Sequence, residues 1–351
     1  FPLLRVYTGM AEDLGMLRCT EVAHVDAIAC HAFSRAEKLL AVGPGDERVI
    51  IFKCVADDFH RVATLARHTH RVTGLDWSCH DRLVSVAEDR AAFIWTWDAD
   101  VGEFKGSAAE LNAPRAALCV SWSPDGLRFA AGLASKEMSV CHYEEQVKCW
   151  ISKKVGKAAE SEGSVTCLAW HPGSGYIAAG GTDRRCIVYD AAHNGGDFGK
   201  AQLRENVDAW VNYITFSPNG NFLALVLQDS TVRFKHLLKG PAEPLEVLQW
   251  RGLPFLCATF LNEQCFVACG FDCKPVVFVQ SERWAVAKTL EANNPRAFPS
   301  EKRESYVQSR AEMYGNTVAA SRSPIAGHRN PISCCSWLER TRFATSSSDG
   351  L

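Results

Sequence analysis

Between Cys167 and Asp190 the chain reads CLAWHPGSGYIAAGGTDRRCIVYD. Apolar and polar positions alternate up to Trp170, a Pro-Gly turn intervenes, and a small apolar run follows. Gly-Gly-Thr-Asp then leads into a second alternating run. Period-two alternation sends successive side chains to opposite faces, so the pattern predicts three antiparallel strands joined by tight turns. A sheet this small needs something to pack against.

The same pattern recurs along the chain. ACHAF ends at Phe33, TGLDW at Trp77, LCVSW at Trp122 and TCLAW at Trp170; NYITF ends at Phe216, LCATF at Phe260 and SCCSW at Trp337. Successive aromatics lie roughly 44 to 48 residues apart, the period of a propeller blade, until the last gap adds about thirty residues. Behind each aromatic come a polar turn and a second apolar strand: LLAVG, LVSVA, FAAGL, YIAAGG, FLALVL, FVACG and FATSS. Six units then place an acid in a turn, at Asp46, Asp89, Asp183, Asp229, Asp272 and Asp349. A third strand closes most units, and the variable linkers leave room for a fourth. Seven such sheets arranged radially bury both faces of each and leave only short, protected edges. The expectation is all-β: one seven-bladed WD-repeat β-propeller spanning 1–351, with Ala178, Ala179 and Gly180 small enough for close packing near the central channel.

Acids at equivalent positions resemble a catalytic series, but in blades of this type the turn Asp binds a His from the preceding loop, a Ser or Thr, and a Trp. Blade two holds all four in His68, Ser85, Asp89 and Trp95. Blade seven offers His328 after Gly327, with Thr345 and Asp349; Asp183, Asp229 and Asp272 stand without the full set. These residues are expected to lock turns by satisfying buried polar groups. His68 and His70 share a strand face, but no third metal ligand accompanies them. AVGPGDERV and GGTDRR carry glycines without the helix or Lys of a phosphate loop, and no nucleophile elbow occurs. The expectation is therefore no catalytic residue, no cofactor and no metal, in a platform rather than an enzyme.

Composition narrows the partners. A net charge of −2 lacks the basic excess of nucleic-acid and membrane-surface binders. No run of about 18 apolar residues would span a bilayer. Neither a nucleic-acid partner nor membrane insertion is expected. The fifteen cysteines sit mostly inside strand-like runs without paired C-x-x-C spacing. They read as small buried hydrophobes in a reducing compartment, cytosolic or nuclear.

Three stretches are more specific than the repeat. NAPRAALCVSWSPDGLRFAAGLASKEMSVCHYEEQVKCWISKKV covers blade three, AWVNYITFSPNGNFLALVLQDSTVRF covers blade five, and CGFDCKPVVF ends blade six. From about Asp26 onward the chain resembles the WD-repeat subunit 1 family of the actin-related protein 2/3 complex. Arg115 to Ala117, Trp210 with Val211, the Asp-Ser-Thr-Val turn at Asp229, and Asp-Cys-Lys-Pro-Val-Val-Phe at Asp272 fit the family pattern. Phe271 stands where the family tends to have His, the linker between blades four and five is short, and the first fifteen residues are extra. The resemblance implies a non-catalytic scaffold. Its partners would be the other subunits of that complex, the actin filament and nucleation-promoting activators, at the actin-rich cytoplasmic cortex. The competing reading is a WD-repeat adaptor of another assembly, such as a coat component or a ubiquitin-ligase substrate receptor.

The family carries an insert between blades six and seven, and this chain has one over 285–324. A short helix is expected near 300–314: Ser300 caps it, Glu301 and Glu304 suit the positive dipole end, and Gly315 stops it. Val307, Ala311 and Tyr314 share a face, with Tyr306 and Met313 beside them. The resemblance implies contact with actin or an actin-related protein through Arg303, Tyr306, Val307, Arg310, Met313 and Tyr314; the alternatives are a helix that folds back on its own blade and a disordered loop. WD propellers usually close with an N-terminal strand, and Leu17–Ala23 has the alternation for it. The third strand of blade seven is expected beyond Leu351, in a longer natural chain.

Overall fold

A computed structural model describes residues 3–8, 15–21, 27–36, 38–55, 58–135, 137–155, 163–173, 175–192, 197–290, 328, 330–337 and 342–347. The N-terminal strands are β1 (Leu3–Thr8) and β2 (Gly15–Glu21). Blade one is β3 (Cys30–Phe33), β4 (Leu39–Gly43), β5 (Val49–Val55) and β6 (Asp58–Leu65). Blade two is β7 (Val72–Trp77), β8 (Leu83–Ala87), β9 (Ala92–Asp98) and β10 (Glu103–Ala109). Blade three is β11 (Ala117–Trp122), β12 (Arg128–Leu133), β13 (Met138–Glu144) and β14 (Cys149–Val155). Blade four is β15 (Val165–Trp170), β16 (Tyr176–Gly181), β17 (Arg185–Asp190) and β18 (Ala201–Asn206). Blade five is β19 (Val211–Phe216), β20 (Phe222–Leu227), β21 (Thr231–His236) and β22 (Glu246–Gln249). Blade six is β23 (Phe255–Asn262), β24 (Cys265–Gly270), β25 (Val276–Gln280) and β26 (Trp284–Thr289). β27 (Ile332–Trp337) and β28 (Arg342–Ser347) complete the described strands.

Blade seven is composite. Its sheet order is β2-β1-β28-β27, so both ends of the chain build it. This corrects one expectation: the third place, assigned above to a strand beyond Leu351, is taken by Leu3–Thr8. The outer place is filled by β2, which overlaps the N-terminal strand expected to complete the blade. Leu4 is fully buried against Ile28, Leu40 and Ala344, which explains why an apolar N-terminal run is drawn into that slot. The ring closes where β27 meets β3.

Seven hydrophobic clusters are found among the described residues, and each spans one seam between adjacent blades. The core is therefore a ring of seams rather than a central nucleus. Close approach there demands small residues: a Cβ on Gly180 would stand 2.5 Å from Ile214 and 2.9 Å from Val211 of the next blade. Charge enters the seam between blades four and five, where fully buried Lys235 of blade five reaches Glu205 of blade four at 2.7 Å and the Pro241 carbonyl at 2.7 Å. Such a pair repays desolvation only because every ammonium hydrogen finds an acceptor, Glu243 O being the third.

One feature of the inner strands escapes the alternation pattern. Blades two to seven each carry a register shift in the first three residues of the inner strand, a β-bulge that re-aims one side chain. Where the bulged residue is Thr73, Thr166 or Asn212, its side chain donates to Ala117 O, Val211 O or Phe255 O of the next blade at 2.8–2.9 Å. Blades three, six and seven bring a thiol to the seam instead. Cys119, Cys257 and Cys334 lie 3.8, 3.6 and 3.5 Å from Val165 O, Ile332 O and His31 O. These three cysteines thus serve as weak inter-blade donors, and no disulfide joins the fourteen cysteines whose side chains are described. Trp77 and Trp170 point back, each indole N–H donating to the preceding blade at Ala32 O (3.1 Å) and Ser121 O (3.0 Å).

One correction concerns the bounds of the insert. Residues 285–289 are not part of it, because Trp284–Thr289 forms the outer strand of blade six, anchored by Trp284 stacked at 4.2 Å on Phe234. The helix expected near 300–314 lies outside the described residues.

Candidate interaction surfaces and turn networks

The antiparallel blades give the ring two ends. Loops entering the inner strands share one end, the entry face, with the turns between second and third strands. The turns between first and second strands, and between third and fourth, form the exit face.

The turn acids sit on the entry face. In blade two, burial holds the His68 imidazole below its ordinary pKa, so at neutral pH it carries one proton. The network then assigns every hydrogen. Trp95 N–H donates to Ser85 Oγ (2.9 Å), and the Ser85 hydroxyl donates to His68 Nε2 (2.8 Å). His68 Nδ1–H donates to Asp89 (2.9 Å), which also accepts the Thr69 and Ala91 amides at 2.9 and 3.0 Å. Burial works against the Asp89 charge, yet those amides and His68 outweigh it and hold the carboxyl below its ordinary range. Ser-His-Asp is also the order of a hydrolase triad. Here Ser85 is fully buried and its oxygen is already engaged by Trp95, so no substrate atom reaches it.

The other acids differ. Asp183 caps its own turn through the Arg185 amide (3.3 Å), and Asp229 binds the Thr231 amide (3.0 Å) and hydroxyl (2.6 Å). In blade seven His328 sits 2.9 Å from Thr345 Oγ1 and 2.7 Å from Ser347 Oγ; Asp349 lies outside the described residues. Blade six holds a group that the sequence reading missed. Trp250, from the loop entering β23, donates its indole N–H to Asp272 at 2.8 Å, beside the Leu253 amide at 3.0 Å. Only Gly fits between them, because a Cβ on Gly252 would lie 2.1 Å from the Asp272 carboxylate. The available signal was an N–H-bearing aromatic in the entry loop of a blade that keeps the acid and lacks the His.

No cluster of three metal-ligating side chains exists among the described residues, and His70 is an exposed neighbour of Thr69 rather than a partner of His68. No described helix is long and apolar enough to cross a membrane. Arg303, Tyr306, Val307, Arg310, Met313 and Tyr314 lie outside the described residues. What the surface does offer is exposed apolar area. On the entry face, Trp210 is 55% exposed, with Leu253 and Phe271 on the next blade. Asn212 links the two blades through Phe255 O, and Phe271 N–H bonds Pro254 O, so the three side chains rise from adjoining backbone.

This architecture has relatives. The WD domain, G-beta repeat model matches residues 59–96 and 153–190. Each match begins in the outer strand of one blade and ends in the third strand of the next, so the sequence repeat is offset from the structural blade. Actin-related protein 2/3 complex subunit 1A of Arabidopsis thaliana is 30% identical over 355 aligned residues, covering 93% of each chain. The chain belongs to the actin-related protein 2/3 complex subunit 1 family. Subunit 1A-A of Xenopus laevis is 30% identical over 289 residues, 78% of this chain and 76% of its own. In structure the chain is similar to the β-propeller domain of Cps50 (Swd1) from Myceliophteria thermophila, with a TM-score of 0.61 over 75% of this chain and 86% of that one. At 17% identity that likeness bears on the fold alone. For a subunit 1 family member, the all-β WD-repeat propeller expected from the repeat is the observed fold.

Proposed function

We propose that the chain is a non-catalytic scaffold subunit of an actin-related protein 2/3 complex. It holds companion subunits around a rigid ring, supports branched actin filament nucleation and helps engage nucleation-promoting activators at the cytoplasmic actin cortex. The observation that carries the reading is 30% identity sustained over 93% of both chains with a protein named as subunit 1 of that complex. The geometry agrees with a platform: every turn acid described above is consumed by fold-holding hydrogen bonds. The test is affinity purification of the tagged chain from its own cells with mass spectrometry of the co-purifying chains. Actin-related proteins 2 and 3 should be recovered in near-equal amount, and recovery of a monomer from gentle, low-salt lysate would refute the reading.

The insert belongs to the same proposal, as a contact to actin or an actin-related protein. Val307→Asp combined with Tyr314→Asp should then cut branch density tenfold or more while leaving melting and assembly unchanged. The loss follows from stranding a charge and removing about 1.5–3 kcal/mol per buried apolar side chain. Normal branching with this double variant would end that part of the proposal.

A further inference from the structure

The exit face of blades two to four carries large apolar side chains that the fold leaves partly or largely exposed. Leu127 and Val147, in turns of blade three, are 58% and 62% exposed; Trp97, Tyr143 and Tyr176 stand at strand ends. Contacts join them into one surface. In blade three Arg128 faces His142, so Leu127 comes opposite Tyr143, whose ring meets Trp150 beside the Val147 turn. In blade two Leu83 faces Trp95, which sets Trp97 beside Asp81. The neighbouring His80 and Arg82 reach Asp125 O and Gly126 O of blade three at 3.0 and 2.7 Å, directly before Leu127. Toward blade four, Arg128 donates to Ala191 O, and the Ala191 amide bonds Gly175 O at 2.8 Å, next to Tyr176.

The rim of this surface is acidic. Asp81, Asp100, Glu103, Asp125 and Glu145 are exposed in the turns of blades two and three, with Asp98 and Glu144 half-buried beside them. Lys148 is exposed beside Val147, whereas three other cations of the region are engaged. Lys105 pairs with Asp98, Arg128 sits 3.6 Å from Asp125 and over Trp170, and Arg82 covers Trp122 at 5.4 Å. An apolar patch of several aromatic and aliphatic side chains with a mainly acidic rim has the anatomy of a docking site, and the excess of acids disfavours acidic partners.

We propose that this surface docks a basic amphipathic segment of a companion protein, its apolar face on Leu127, Tyr143 and Val147 and its lysines or arginines on the acidic rim. The inference rests on the reading of the chain as a subunit of an assembly, and it adds which face is covered and the chemistry of what covers it.

The experiment compares the purified chain with the assembly recovered by affinity purification. Hydroxyl-radical footprinting reads Trp97, Tyr143 and Tyr176, and carbodiimide coupling joins carboxylates to amines in direct contact. The expected result is at least threefold protection of all three aromatics in the assembly, with Glu144, Glu145 or Asp100 coupled to a lysine of a companion chain. Leu127→Asn with Val147→Asn, both at sites already more than half exposed, should leave melting unchanged and lower companion recovery at raised salt by tenfold or more. Recovered actin-related proteins with the three aromatics still reactive would overturn this inference and spare the proposed function. An eluate without them would overturn both. Protection accompanied by coupling of rim lysines to companion carboxylates would overturn the sign of the partner.

Discussion

Blades two and six solve the same problem with different groups. Each has an acid in the turn between its second and third strands, Asp89 or Asp272, and each acid receives an N–H from the loop entering the inner strand. In blade two the donor is His68, held in turn by Ser85 and Trp95, so the hydrogen bonds run from the third strand to the turn. In blade six the donor is the Trp250 indole, joined at the carboxylate by the Leu253 amide. What recurs is the acceptor and the direction of the N–H; the ring that carries it is interchangeable. The difference is that blade two is built from a titratable ring and blade six is not.

The largest expected effect sets the conditions for testing that contrast. His31, buried between blades seven and one near Ser346, is depressed by burial and by nearby His328 to about 3. The unfolded chain takes up a proton near pH 6.5 that the folded chain refuses, so stability is full above that value and is lost as pH falls toward 3. The full loss is on the order of 5 kcal/mol at one pKa unit per 1.36 kcal/mol. The difference between urea unfolding curves of the parent and His31→Gln across pH 7 to 4 isolates it, and a flat difference would refute it. His68 has the same sign, since burial also lowers it, so blade two should weaken in acid where the Trp250 network of blade six does not.

At pH 7, Asp89→Ala should cost about 2–3 kcal/mol, because it strands two amides and the His68 N–H. Asp272→Ala should cost about 1 kcal/mol, since its donors, the half-buried Trp250 and the exposed Leu253 amide, can turn to water whereas buried His68 cannot. Equal costs by chemical denaturation would break the comparison. Gly252→Ala should cost about 1–2 kcal/mol by forcing Trp250 off Asp272. The smallest pair sharpens the rule of interchangeable donors. Trp250→Phe should lose about 0.5–1.5 kcal/mol and Trp250→His should regain part of it. A histidine no better than phenylalanine there would mean that the indole matters for packing rather than for its N–H.

The repeat, the blade number and the turn acids were legible because each depends on local chemistry: alternation, turn residues and a spacing of one blade. Blade two was legible at the level of single residues because His68, Ser85, Asp89 and Trp95 all lie within one repeat. The exit-face patch was not, because its members come from three blades and look in the sequence like ordinary strand-end residues. The bulges were hidden as well. A single extra residue leaves the apolar pattern readable while turning Thr73, Thr166 and Asn212 onto the next blade.

By itself the sequence determined that this chain is a ring of similar sheets, since period-two patterning and turn chemistry act within a few residues. It also determined family membership, through identity sustained along nearly the whole chain. Only the tertiary structure decided how the ring closes and what its surfaces offer. Which strand fills the third place of blade seven depends on Leu4 finding Ile28, Leu40 and Ala344. Whether Trp97 and Leu127 belong to one surface depends on how blades two and three abut. Both are contacts between residues far apart in the chain, and local propensity carries no information about them until the ring brings them together.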